Sequence, residues 1–171
     1  LILEKKDRAI KRKARLYGKL TKISIVSEAY HETRINPEGS SISLLLNNLL
    51  GDSIHIPDYI SLHGTATKNN DISEVRGIKK YFGRNVDKIL LSAIKPFTGH
   101  MIGASSIVEL ISCLLTIRDD FIPPVLNLNC PDTECDLNFV TGKGKKKIIN
   151  KAVSLSYGFG SLLGGALVTR Y

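Results

Sequence analysis

Apolar positions recur along this chain with two different periods, and each predicts a different element. In residues 1–20, Ala9, Ile10, Ala14, Tyr17 and Leu20 return at helical spacing between charges, which predicts an opening helix. The first residue is Leu1, not Met, so the chain reads as a fragment entered at a helix. Residues 22–30, KISIVSEAY, are rich in β-branched side chains and predict a strand. SSISLLLNNLL, residues 40–50, has helical apolar spacing with Gly51 as its stop. A short strand, DYISLHG, ends at Gly64; TATKNN follows, and then a helix from about Asp71 to Phe82. Asp71 and Glu74 have capping-box spacing in its D-x-x-E form, and Gly83 closes the segment.

KILLSA, residues 88–93, reads as a buried strand. Beyond it, the run from 101 to 117 carries apolar residues on nearly every side of a helix, which predicts a central helix. FIPPVLNLNCPDTECDLNFV is a proline-bearing extended connection, and GKGKKK is a solvated turn. KAVSLSYGF and GGALVTRY read as two final strands. The pattern βαβαβα followed by a β-hairpin predicts an α/β fold, a sheet with helices on its faces. In open sheets of this kind, ligands bind beyond the carboxyl ends of the strands. Three loops gather there, carrying His63, then Lys95 with His100, then the glycine-rich turn at Phe159.

Composition narrows the class. A chain of 171 residues, 43% hydrophobic, can bury roughly 70% of its unfolded surface in one core, so one globular unit is expected. The formal charge of +8 gathers near the start and in residues 143–151; a nucleic-acid role would rest on that charge alone. Cys113, Cys130 and Cys135 form no CxxC pair, so a reduced, intracellular protein is expected. Cys113 reads as a small core residue, while Cys130 and Cys135 flank the turn-forming Pro131 and Asp132. The 101–117 run is short for a membrane span and carries Ser105, Ser106, Glu109 and Ser112, so no span is expected. His31, His55, His63 and His100 show neither HxH nor HExxH spacing, so neither a metal nor a cofactor is called for.

The chemistry concentrates in a few residues. His63 closes a strand ahead of Gly64, Thr65 and Thr67, whose hydroxyls could orient its ring. His100 precedes the apolar helix by about a residue, where the helix N-terminus favours a neutral imidazole. Either histidine alone is more often structural than catalytic. Glu109 inside an apolar helix is expensive unless paired, and Lys95 is the sensible partner, though a buried pair needs no catalysis to explain it. Two histidines and a lysine at strand ends together suggest acid/base work or charge stabilisation at a carbonyl.

LHGTATKNND, from Leu62, resembles the histidine-glycine-threonine box of the β-ketoacyl-acyl-carrier-protein synthases. KPFTGHMIGASSIVE, from Lys95 to Glu109, is similar to their K-x-x-x-G-H-x-x-G-A box, and SYGFG, from Ser156 to Gly160, to their terminal G-F-G turn. The resemblance runs in order over nearly the whole chain and matches the carboxyl-terminal half of an elongating type II synthase. It implies a thiolase-like half, a mixed sheet flanked by helices, that forms half of an αβαβα layered fold and belongs to a homodimer. Residues 1–171 would then be the carboxyl-terminal domain, with the nucleophilic cysteine in the other half.

That family condenses an acyl thioester with malonyl-carrier protein by decarboxylation. Carried over by motif, His63 and His100 polarise the malonyl thioester carbonyl, and Lys95 tunes the field through Glu109. Phe159, between Gly158 and Gly160, supplies an oxyanion N–H and a ring that gates the acyl pocket; Thr65 and Thr67 join them on the substrate side, and Asp71 with Glu109 gives structural support. The partners implied are acyl- and malonyl-loaded carrier protein, the amino-terminal half and a second copy; the expected compartment is the cytoplasm or a plastid-type organelle. Two departures stand out. No cysteine here falls on a family catalytic position, and Leu155, Ser161, Leu162 and Leu163 stand where the family has asparagine, glycine, threonine and asparagine. An altered oxyanion turn is expected, and a non-catalytic, chain-length-factor-like subunit is the competing reading.

Overall fold

A computed structural model describes residues 1–51 and 56–171; His55 of the metal-spacing argument lies outside the described residues. The elements in order are α1 (Lys6–Lys11), β1 (Lys19–Ser27), α2 (Ser40–Leu50), β2 (Tyr59–Ser61), α3 (Lys68–Phe82), β3 (Leu90–Ser92), α4 (Lys95–Thr98), α5 (Ser105–Asp119), β4 (Phe121–Ile122), β5 (Lys145–Lys146), β6 (Lys151–Gly158) and β7 (Leu162–Thr169). The main sheet has the order β1-β7-β6-β2-β3. β2 pairs parallel with both β3 and β6, and β7 runs antiparallel to β6 and β1, so only β7 opposes the others. The predicted mixed sheet flanked by helices is the observed fold.

Strand alternation divides the core in two. Ile60, Leu91 and Val153 join α2 and α3 on one face; their neighbours Tyr59, Leu90 and Ala152 join Leu110, Cys113 and Ile117 of α5 on the other. Strands buried on both faces read as continuous apolar runs, which is why β2 and β3 are apolar and short. α2 and α3 cross closely: a Cβ on Gly77 would meet the Ile42 Cβ at 2.5 Å and the Gly39 carbonyl oxygen at 2.7 Å.

Several expectations need correction. The opening helix over residues 1–20 shrinks to Lys6–Lys11; it ends at Arg12, and Lys13 turns into the left-handed region with φ 55°. Most of that segment is exposed, so helical spacing had little core to face. The first strand begins at Lys19 and ends at Ser27, because β7 supplies its ladder from Thr169 back to Leu162. The helix predicted from Asp71 starts at Lys68 with Thr67 as N-cap, so Asp71 and Glu74 form no capping box. GKGKKK is not only a turn: Lys145 and Lys146 pair with Ile122 and Phe121 in a small ribbon.

The helix expected to be central, α5, buries one face alone. It packs on β6, β4 and β7 and buries Glu109, Leu110, Cys113 and Ile117, while Ile107 and Leu115 are exposed. Among the described residues, no helix is long and apolar enough to cross a membrane.

Candidate functional site

Because β1, β2, β3 and β6 run the same way, their carboxyl ends share one rim. The loop after β1, His63 after β2, Lys95 after β3 and the Phe159 turn after β6 all lie on it. His63 is held from both its backbone and its ring. Its N–H donates to Glu74 Oε1 at 2.8 Å, and the Gly64 N–H donates to Glu74 Oε2 at 3.0 Å. Gly64 has φ 45°, and a Cβ there would stand 2.6 Å from that of Ala93, so only glycine fits beside β3.

The ring's Nδ1 accepts the Tyr157 N–H at 3.1 Å, with Lys95 Nζ 3.3 Å away. An Nδ1 that accepts fixes the neutral tautomer, so Nε2 carries the proton and is the donor. Burial first, then Lys95 and His100, push the His63 imidazole down to about 3, so it stays neutral over the physiological range.

Lys95 is buried and ion-paired with Glu109, and its ammonium also donates to the His63 carbonyl. Burial pushes the Glu109 carboxyl up, and Lys95 pulls it back. Removing one partner of such a buried pair typically costs 3–5 kcal/mol, so Lys95 fixes its own position as well as a positive charge beneath His63.

His100 stands on the outer side. Its ring lies 5.8 Å from that of His63, centroid to centroid, at 86°. Its Nδ1 accepts the Ile102 N–H at 3.1 Å and stands 3.3 Å from Ser105 Oγ, whose oxygen accepts the Met101 N–H at 2.9 Å. His100 therefore also carries its proton on Nε2. It does not abut the helix as expected: a 3-10 turn, Ile102–Ala104, separates it from α5, and backbone capping of Nδ1 replaces the helix field as the reason for its tautomer.

The remaining predicted residues fall as follows. Thr65 and Thr67 hydroxyls bond each other at 2.8 Å and do not orient His63; the Tyr157 N–H does. Asp71 is half-buried and accepts from Asn70 at 3.0 Å; burial pushes its carboxyl up against the pull of Asn70 and the Thr65–Ala66 backbone. Phe159 is 81% exposed at the tip of the hairpin, with Gly158 and Gly160 beside it. Cys113 lies in the core, where burial pushes its thiol up to about 12, and it offers no nucleophile.

Sequence reasoning missed Glu74 and Tyr157 as supports of His63. Glu74 was legible only as a helix-start signal, and Tyr157 acts through a backbone N–H that no side-chain pattern reveals. Non-glycine residues with positive φ mark all three loops: Ala66, Ile102 and Ser161. Such strained backbone gathers where function over-determines geometry. Chemically, two Nε2–H donors sit on rings 5.8 Å apart, with a buried ammonium beside the His63 ring, an arrangement suited to an oxygen that gains negative charge.

Residues 17–129 match the family model described as the β-ketoacyl synthase, C-terminal domain. The 3-oxoacyl-[acyl-carrier-protein] synthase 2 of Coxiella burnetii is 38% identical over 99% of this chain and 42% of its own length. Its counterpart from a Synechocystis species is 38% identical over 94% of this chain and 39% of its own. The chain thus spans about two fifths of the relatives it matches. Among solved structures, a type II polyketide ketosynthase in complex with its acyl-carrier protein superposes with a TM-score of 0.93 at 29% identity, over 98% of this chain and 42% of that one. The ishigamide ketosynthase/chain length factor superposes with a TM-score of 0.88 at 28% identity, over 97% and 41%.

Proposed function

This chain belongs to the β-ketoacyl synthase family, as a carboxyl-terminal domain, and on that premise we propose that it forms the decarboxylating half of a 3-oxoacyl-[acyl-carrier-protein] synthase site. The reaction is a Claisen condensation in fatty-acid or related polyketide synthesis. Its partners are acyl- and malonyl-loaded carrier protein, an amino-terminal half bearing the cysteine, and a second copy in a homodimer. The net charge of +8 suits an acidic carrier.

The chemistry proceeds in two steps. As the bond from the malonyl α-carbon to its carboxylate breaks, carbon dioxide leaves and the electron pair passes to the thioester oxygen as an enolate. The His63 and His100 Nε2–H groups donate to that oxygen, and Lys95 adds its positive field. The enolate carbon then attacks the cysteine-bound acyl carbonyl, and the thiolate departs. The Phe159 backbone N–H serves that second oxyanion, and the ring gates the acyl entrance.

The observation that carries this reading is the paired tautomers: both imidazoles have Nδ1 capped by a backbone N–H, leaving two Nε2–H donors on rings 5.8 Å apart. A histidine serving as a general base would need that nitrogen free. The test is His63→Ala in this chain combined with a cysteine-bearing amino-terminal half. Malonyl decarboxylation should fall on the order of 100-fold or more, while acyl transfer to the cysteine stays measurable. Unchanged decarboxylation would remove His63 from the mechanism.

One observation favours a second reading, a non-catalytic chain-length-factor-like subunit: Leu155, Ser161, Leu162 and Leu163 depart from the family's terminal turn. Carrier-protein binding without decarboxylation by the unsubstituted chain, combined with the same cysteine-bearing half, would select it.

A further inference from the structure

Five hydrogen bonds tie the β6–β7 turn to the loop of residues 28–36 between β1 and α2. The Gly160 N–H donates to the Glu32 carbonyl at 2.6 Å, and the Glu28 N–H to the Ser161 carbonyl at 3.1 Å. The other three pass through one hydroxyl: Ser161 Oγ–H donates to the His31 carbonyl at 2.7 Å, with the Arg34 carbonyl a longer second acceptor at 3.5 Å, and Ser161 Oγ accepts the His31 N–H at 3.0 Å. The loop is closed on its own side, where Glu28 Oε1 accepts the Asn36 N–H at 2.9 Å and His31 Nδ1 accepts the Thr33 N–H at 3.0 Å.

The position is unfavourable for serine on local grounds. Ser161 has φ 56°, a conformation in which glycine costs nothing. It is nonetheless 2% exposed, while Phe159 two residues earlier is 81% exposed. A buried hydroxyl that both donates to and accepts from one backbone residue 130 positions away supplies the compensation. Glycine, which the resemblance places here, has no atom that could make either bond.

We propose that Ser161 is a positioning residue for acyl-chain selection: its hydroxyl staples the Phe159 turn to the 28–36 loop, so that the aromatic gate opens only when both loops move. The proposal rests on the reading of Phe159 as that gate. A turn held through its backbone alone could hinge at Gly158 and Gly160, whereas this one must also break a buried, two-way contact.

Two variants separate the hydroxyl from the backbone. Ser161→Ala removes the hydroxyl and keeps the Cβ at positive φ; Ser161→Gly removes the hydroxyl and relieves the strain. In both, amide exchange at Glu28, His31 and Gly160 should speed about tenfold or more, while Ile60 and Val153 in the sheet exchange as before. Unaltered exchange at Glu28 and Gly160 in Ser161→Ala overturns the staple.

The functional arm uses this chain combined with a cysteine-bearing amino-terminal half, and reads the ratio of kcat/KM for long and short acyl thioesters. Ser161→Ala should shift that ratio several-fold in the same direction as Phe159→Ala. Faster exchange with an unshifted ratio, where Phe159→Ala does shift it, overturns the selection role. If Phe159→Ala leaves the ratio alone, the gate reading itself fails, and selection is struck from Ser161 with it.

Discussion

His63 and Glu74 sit back to back at the rim, and burial moves them in opposite senses. Glu74 is pushed up to about 7, mainly by burial, with the Gly64 and His63 N–H bonds pulling the other way. A carboxyl raised in the folded state contributes stability that is full below its unfolded value near 4.5 and is lost as pH rises through 7. That loss is about 3 kcal/mol. His63, lowered to about 3 by burial, Lys95 and His100, does the reverse: its contribution is full above 6.5 and is lost as pH falls toward 3. Between pH 6.5 and 4.5 the two slopes oppose and nearly cancel. We therefore expect His63→Asn, whose amide oxygen can still accept the Tyr157 N–H, to change the pH profile and not only its height. The stability advantage of the unsubstituted chain over the variant should shrink by about 1.4 kcal/mol per pH unit from 6.5 down to 3. Urea denaturation at half-unit pH steps measures it, and a difference that does not vary with pH would show that His63 is not held neutral. At this scale the sequence was read well where pairing is forced. A carboxylate in an apolar helix demands a cation, so Lys95 and Glu109 were matched; Glu74 bonds backbone N–H groups, which leave no compositional trace.

Elements were legible where a buried face set the period. α2 was read to its residue limits because Ile42, Leu45, Leu46 and Leu49 repeat against a core. The opening helix was overread because Ile10 and Tyr17 have the right spacing but remain exposed, and helix stability comes from packing more than from spacing. The crossing of α2 and α3 depends on Gly77. Alanine there would gain up to about 1 kcal/mol of helix propensity and lose about 1–3 kcal/mol to overpacking. Because one of the blocking atoms is the Gly39 backbone oxygen, 2.7 Å from the new Cβ, the clash is not relieved by a rotamer change. Gly77→Ala should destabilise by about 1–2 kcal/mol net in thermal or urea unfolding, and a neutral or stabilising result would mean that the two helices can separate at little cost.

Across the whole molecule, the two faces of the sheet are covered unequally. α2 packs against β1 and β7 on one side, whereas α5 on the other reaches only the Leu20 and Ala166–Val168 end of the β1–β7 pair. Ile23 and Ile25 of β1 are 60% and 64% exposed, and Leu162 of β7 and Ile107 of α5 are exposed as well. Exposed apolar surface of this kind seeks a partner. The 171-residue chain alone should self-associate as its concentration rises, seen in sedimentation, and Ile23→Lys with Ile25→Lys should weaken that association without unfolding the sheet. The same material should catalyse no condensation, since Cys113 and Cys135 are buried with their thiols pushed up, and Cys130, though exposed, does not fall on a family catalytic position. Turnover by this chain alone would sink the proposed division of the site.

The sequence by itself determined the order of the main-sheet strands and the helices between them, the mixed α/β architecture, the family and the three loops that carry the chemistry. The order and the loops follow from periodicity, from glycines at fixed turns and from the cost of an unpaired charge, all of which are local, whereas the family and the mixed sheet follow from the resemblance of residues 62–71, 95–109 and 156–160 to that family's boxes. Only the tertiary structure decided what holds those loops. The tautomers of His63 and His100 depend on N–H groups of Tyr157 and Ile102, the Glu74 carboxylate belongs to the His63–Gly64 backbone, and Ser161 joins His31 from 130 residues away. Backbone donors are the same at every position, so their partners are set by where the chain folds back and not by which residues carry them.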